Sequence, residues 1–131
     1  MDLSFLDTVK FDKDGLVPCI AQDHASGEIL MVAYMNRDSL ADTATKRLAS
    51  YWARSRKKFW VKGEESGNTQ EVVEMRLDCD RDCVLIRIKQ NGGAACHTGM
   101  RSCFYTKVES DGRVVEDGVK VFDPATVYKK S

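Results

Sequence analysis

Three thiols and a histidine stand where they could hold a metal. Cys79 lies inside DCDRD (Asp78 to Asp82), and Cys96 and Cys103 follow at C-x6-C spacing within QNGGAACHTGMRSCFY, residues 90–105. Thiolates are soft ligands that suit zinc, whereas carboxylates suit a hard cation such as magnesium. An extended DCDRD alternates its side chains, so Asp78, Asp80 and Asp82 would face one way and Cys79 the other. One short strand would then serve two metals. An isolated acidic run is otherwise a solvated turn, and the strict i, i+2, i+4 spacing around a cysteine argues for more. A closed four-cysteine structural zinc site, adding Cys83 to the other three, competes with an open catalytic one. The spacing lacks the C-x2-C knuckles of zinc ribbons, yet the pleat leaves Cys83 on the same side as Cys79, so spacing leaves both readings open. His97, beside Cys96, adds something a purely structural site does not need. An imidazole next to zinc can take or return the proton of a bound water near neutral pH.

WARSRKKFWVKGEESGN (Trp52 to Asn68) interleaves bases with aromatics. Guanidinium groups match phosphate oxygens bidentately and indoles offer a flat surface to a purine. Alternation along one strand would put Trp52, Arg54 and Arg56 on a single face. With Lys62 they are the candidate contacts for a nucleotide-sized ligand. A solvated basic strand edge with both tryptophans in the core explains the segment equally well. Gly63 and Gly67 permit a loop that closes over a ligand. If the cysteines instead form a closed site, the same segment reads as part of a structural-zinc module that binds nucleic acid.

The elements that must position these groups follow from periodicity. LVPCIAQD (Leu16 to Asp23) and GEILMVAYM (Gly27 to Met35) flank HAS and predict a hairpin. Asn36 or Asp38 caps a helix running to Lys46 with Leu40, Ala41 and Ala44 on its apolar stripe. ASYWARS follows as a strand. TQEVVEMRLD places Val73, Met75 and Leu77 on one face of another, and CVLIRIKQ places Val84, Ile86 and Ile88 likewise. SCFYTKVES and RVVEDGVKVF are joined at Asp111-Gly112, a short-hairpin signal. Many strands and one helix predict a β-rich α+β fold, a curled antiparallel sheet capped by the helix.

The 131 residues fit one domain, residues 1–131, with no repeat or linker. Twenty basic residues balance twenty acidic ones, so no global field draws in nucleic acid or a membrane. No signal-like segment opens the chain and no apolar run could span a bilayer, which predicts a cytoplasmic protein. Five cysteines in a reducing compartment point to metal or catalysis, not disulfides, with Cys19 a small buried hydrophobe.

Together these segments resemble the phosphoribosyl-AMP cyclohydrolase family of histidine biosynthesis. MVAYMN (Met31 to Asn36), WARSRKKFWVKGEESGN, DCDRD and NGGAACHTGMRSCFY lie in the family's order and span most of the chain between Ile29 and Tyr105. The resemblance implies a hydrolase that opens the adenine ring of 1-(5-phosphoribosyl)-AMP between N1 and C6, the third step of the pathway. It implies zinc on Cys79, Cys96 and Cys103, the first from one subunit and the pair from its partner, with a fourth position open for water. It further implies magnesium on Asp78, Asp80 and Asp82, and His97 as the proton carrier. The architecture implied is a homodimer of intertwined, β-rich pseudo-barrels. Two positions depart from the family: Ala53 where serine is common, and Lys46-Arg47 where a threonine-glycine pair is usual. The chain is too short for the phosphoribosyl-ATP pyrophosphatase domain fused to many members, which implies the single-function form.

Overall fold

The structure, a computed structural model, describes residues 2–64 and 66–122. A 3-10 turn at Ser4–Thr8 precedes β1 (Val17–Asp23), β2 (Ile29–Met35), α1 (Arg37–Lys46), β3 (Ser50–Ala53), β4 (Lys58–Val61), β5 (Gln70–Leu77), β6 (Val84–Gln90), β7 (Thr106–Val108) and β8 (Val114–Glu116). The first six strands form one sheet in the order β4-β3-β2-β1-β6-β5, and β7 pairs with β8 alone. The sheet curls until its far edge meets the lead-in to β3. There Ala49 N–H donates to Gln70 O, Val72 N–H donates to Arg47 O, and Leu48 bridges Glu71. This is a β-rich half-barrel with one helix among the described residues.

Local chemistry explains most of these elements. Asn36 caps α1 through a reciprocal pair of bonds: its Oδ1 accepts from Ser39 N–H at 2.8 Å while Ser39 Oγ accepts from Asn36 N–H at 3.0 Å. Leu40 and Ala44 face inward, fully or nearly buried. Arg47 ends the helix in the left-handed region at φ 59°, the conformation glycine adopts without strain. The Lys46-Arg47 pair therefore closes the helix with a left-handed residue and carries a conformational cost at Arg47. Inside the curl Val17, Cys19 and Ala21 of β1 pack with Val84, Ile86 and Ile88 of β6, all 0% exposed. Cys19 is the small core residue expected of it, and burial raises its thiol pKa.

Four expectations need correction. The sheet is mixed, because β1 and β6 run parallel from Cys19 opposite Val84 to Asp23 opposite Ile88. Side chains alternate identically in parallel and antiparallel pairs, so periodicity carries no direction. Val73 does not share a face with Met75 and Leu77: it is 55% exposed while Val72 is buried. A bulge between Val72 and Glu74 adds a residue and reverses the phase. DCDRD is a turn and not a strand, with Arg81 at φ 62°. Finally, the strand expected through Arg56 stops at Ala53, and residues 54–57 turn back into β4, with Lys57 at φ 47°.

The Asp111-Gly112 hairpin forms as expected, Gly112 lying at φ 91°, though its strands are short. Both are exposed throughout, and Val108, Val114 and Val115 carry their side chains uncovered. No helix among the described residues is long and apolar enough to cross a membrane.

Candidate active site

Beyond β6 the chain folds into a tight loop that presents the CHTG residues. Ala95 N–H donates to Arg101 O, Cys96 N–H to Met100 O, and Gly99 N–H to Cys96 O, which leaves His97 and Thr98 at the tip. His97 is exposed there. Gly99, at φ 88°, lets the backbone of Phe122 approach: a Cβ on it would lie 2.0 Å from Phe122 O. Cys103 is anchored to the sheet by its N–H, which donates to Leu30 O at 2.6 Å. The C-x6-C spacing thereby brings the two thiols near enough for each to shift the other's ionisation.

Their electrostatics differ. Partial burial opposes ionisation of Cys96, but hydrogen bonds from Thr98, whose hydroxyl lies 3.0 Å from Sγ, outweigh it and hold the thiol below its ordinary value. Cys103 opens to a cavity at its surface, yet desolvation and then the neighbouring Cys96 push its thiol up to about 12. A soft cation bound by both would replace the proton on each. Lys62 lies beside the pair, 7% exposed, its ammonium donating to Ala95 O. Desolvation lowers its pKa and the two thiols oppose that shift.

The cavity has a volume of about 700 Å³, and its wall includes Arg56, Lys58, Trp60, Lys62, His97 and Cys103. Trp60 rests one side of its ring against Tyr51, centroids 5.2 Å apart. Behind the wall Tyr51 Oη donates to Gln70 Oε1, Gln70 Nε2 to Gln90 Oε1, and Gln90 Nε2 to Asn68 O. This buried chain ties the 63–69 loop to the sheet.

At the opposite end of β6 the DCDRD turn gathers its three carboxylates. One oxygen each from Asp78, Asp80 and Asp82 lies within 4.8 Å of the others, a set no other three His, Cys, Asp or Glu among the described residues matches. Asp78 Oδ1 also accepts from the N–H of Asp82 and of Cys83, which fixes the turn. The crowding shows in the protons: hydrogen bonds with Asp80 and then Asp78 push Asp82 up to about 6, while Asp80 is lowered. A hard divalent cation relieves such crowding.

The three thiols do not meet within one chain. Cys79 is exposed on the acidic turn, and its sulfur is not grouped with those of Cys96 and Cys103. Cys83 lies near the buried Cys19, whose thiol it helps to raise, while its own thiol is raised by burial and the neighbouring aspartates; no set of three or more cysteines is gathered among the described residues. Of the basic candidates, Arg56 and Lys62 reach the cavity. Trp52 instead pairs with Phe59 across the β3–β4 ladder, and the Arg54 guanidinium stacks 3.9 Å over the Tyr34 ring. The alternation Lys58, Trp60, Lys62 was the readable signal for the cavity face of β4, masked by extending β3 too far.

The family model described as phosphoribosyl-AMP cyclohydrolase matches residues 31–105. A protein of that name from Chlorobium phaeovibrioides is 52% identical over 130 residues, covering 99% of this chain and 94% of its own. One from Geobacter sulfurreducens is 57% identical, covering 94% of this chain and 98% of its own. A relative of the same name from Methanococcoides burtonii is 56% identical with the same coverage.

Proposed function

The chain belongs to the phosphoribosyl-AMP cyclohydrolase family, and on that premise we propose that it catalyses hydrolytic opening of the adenine ring of 1-(5-phosphoribosyl)-AMP in histidine biosynthesis. The observation that carries this reading is that Cys103 and His97 lie on the wall of one basic cavity large enough for a nucleotide, with Cys96 beside Cys103. In the reaction a water oxygen bonds to C6, the N1–C6 bond breaks, and N1 leaves with a proton while C6 becomes a carboxamide. His97, exposed at the tip of its loop, takes a proton from the attacking water and returns it to N1. Trp60 offers a flat face to the ring, and Lys62 adds positive charge where the oxygen develops negative charge.

The donors fit two metals of different hardness. Cys96 and Cys103, with Cys79 from a second copy of the chain, would hold zinc. A zinc ion in three-thiolate coordination supplies Lewis acidity that makes water nucleophilic near neutral pH. Asp78, Asp80 and Asp82 would hold magnesium. The separation of Cys79 from the pair supports a homodimer with shared sites, and the uncovered valines of the β7–β8 arm are the surface a second copy would cover.

Two measurements test this. Purified protein should convert phosphoribosyl-AMP to the ring-opened carboxamide nucleotide and carry about one zinc per chain; absence of conversion in zinc-loaded protein would refute the assignment. Co-refolding inactive Cys79→Ser with inactive Cys103→Ser gives mixed dimers with one doubly damaged and one intact site. About half of the sites in those dimers should be active. No activity in mixed dimers that demonstrably form would mean each subunit builds its site alone.

A further inference from the structure

Strand β4 and Lys62, the residue that follows it, run along the cavity with Lys58, Trp60 and Lys62 at alternate positions, all three on the cavity wall. Alternate residues of a strand face the same way, and four steps of it span about 13 Å. The two ends of this line differ. Lys62 is buried, adjoins the thiol pair and is held by Ala95 O. Lys58 is exposed, and Arg56 lies just before it in the turn that opens β4. Neither the Arg56 nor the Lys58 side chain makes an ion pair or hydrogen bond among the described residues. Arg54, by contrast, is committed to the Tyr34 ring. The only described acid on the cavity wall is Glu64, beyond Lys62 at the opposite end of the line from Lys58. Two exposed cations without ion-pair partners on one cavity wall attract a doubly charged anion, and an arginine fork with a lysine point charge is the donor set that holds a terminal phosphate.

We propose that β4 is a ruler for a 5′-phosphorylated purine nucleoside. Lys62 marks the reacting end beside the thiols, Trp60 lies under the middle of the ligand, and Arg56 with Lys58 grips the 5′-phosphate. The span matches the reach of a mononucleotide from base to phosphate. The proposal rests on the cyclohydrolase reading and deepens it, making Arg56 and Lys58 specificity-determining residues that separate nucleotides from nucleosides. They act on binding and leave the ring chemistry to the thiol end.

Binding of AMP and of adenosine, measured by calorimetry, tests it on the intact protein and on an Arg56→Gln/Lys58→Gln double variant. Loss of charge-assisted bonds to phosphate corresponds to about 10–100-fold in affinity. The unmodified protein should therefore prefer AMP over adenosine by about that factor. The double variant should bind the two alike with adenosine affinity little changed, and an Arg56→Lys/Lys58→Arg variant should keep most of the preference. Both positions are exposed, so the variants are expected to fold, which their thermal unfolding checks. A preference undiminished in the double variant places the phosphate elsewhere and overturns the ruler. So does equal binding of AMP and adenosine by unmodified protein. An equal fall in both affinities would assign the two residues to the shape of the cavity and also overturn it. Turnover of phosphoribosyl-AMP by unmodified protein separates the two claims: turnover without the expected change in preference sinks the ruler alone, and the expected change without turnover sinks the reaction alone.

Discussion

Gly63 and Gly67 share the same left-handed φ and differ in what surrounds them, which permits a test of the loop that borders the cavity. Both sit at φ +81°. A Cβ on Gly67 would meet nothing within 4 Å, whereas one on Gly63 would lie 2.2 Å from the carbonyl carbon of Asn68 and 2.3 Å from the nitrogen of Thr69. Gly67→Ala therefore carries only the left-handed penalty, about 1 kcal/mol. Gly63→Ala carries that and a clash with main chain, which no rotamer change relieves. Displacing packed backbone adds about 2 kcal/mol. For a domain of this size one kcal/mol moves Tm by about 4 °C. Gly67→Ala should lower Tm by about 4 °C and Gly63→Ala by about 12 °C, read by calorimetric unfolding of both variants at one protein concentration. The Gly63 change should also weaken substrate binding, because residues 68–69 can move only by disturbing the Gln90–Asn68 bond behind the cavity wall. Equal losses at the two positions would show that the close approach of residues 63 and 68 exerts no constraint, and the argument for a rigid loop would fail.

Cys83→Ser should retain zinc and activity while Cys96→Ser loses both; metal analysis of the two variants decides, and zinc loss in Cys83→Ser would restore the closed four-cysteine site. His97→Asn should keep near-normal zinc and lose about 10²–10⁴-fold in rate, whereas zinc falling in step with activity would make His97 a ligand. Arg47→Gly should raise stability by about 1 kcal/mol by relieving the left-handed C-cap, since the exposed Arg47 side chain makes no hydrogen bond or ion pair among the described residues. Asp82, raised to about 6 in the folded protein, favours folding while protonated, and that contribution fades as pH rises through about 6. Magnesium should consequently raise Tm more at about pH 7.5 than at about pH 5, and an equal shift at both would remove Asp82 from the cation site.

Elements with local causes were legible in the sequence. The β1–β2 hairpin, the Asn36-capped helix and the inward face of β6 each rest on neighbours a few residues apart, and each forms as read. What failed was non-local or left no residue signature. The parallel pairing of β1 with β6 depends on a long excursion round the curl, and the bulge at Val73 is marked by no glycine or proline. Of the site, the Cys96–Cys103 pair and the acidic triad were readable because short loops close them. Convergence of the aspartates came for a different reason than expected: a turn, with Asp78 accepting two backbone N–H groups, gathers carboxylates that a strand would have spread along one face. The same turn leaves Cys79 exposed.

That exposure bears on how the thiol site is completed. The acidic turn precedes β6 and the CHTG loop follows it, so seven residues of extended strand separate them. At about 3.3 Å per residue they stand roughly 20 Å apart along the strand. β6 sits between β1 and β5, with Val84, Ile86 and Ile88 fully buried, so it cannot buckle to shorten that distance without exposing the core. No rearrangement confined to the two loops brings Cys79 to its pair. A site using all three thiols must therefore take them from two chains, and its formation becomes linked to association: dilution that separates the chains should release the metal and abolish turnover together. Zinc retained by dissociated single chains, measured in the fractions of a size-separation run at falling concentration, would contradict that linkage.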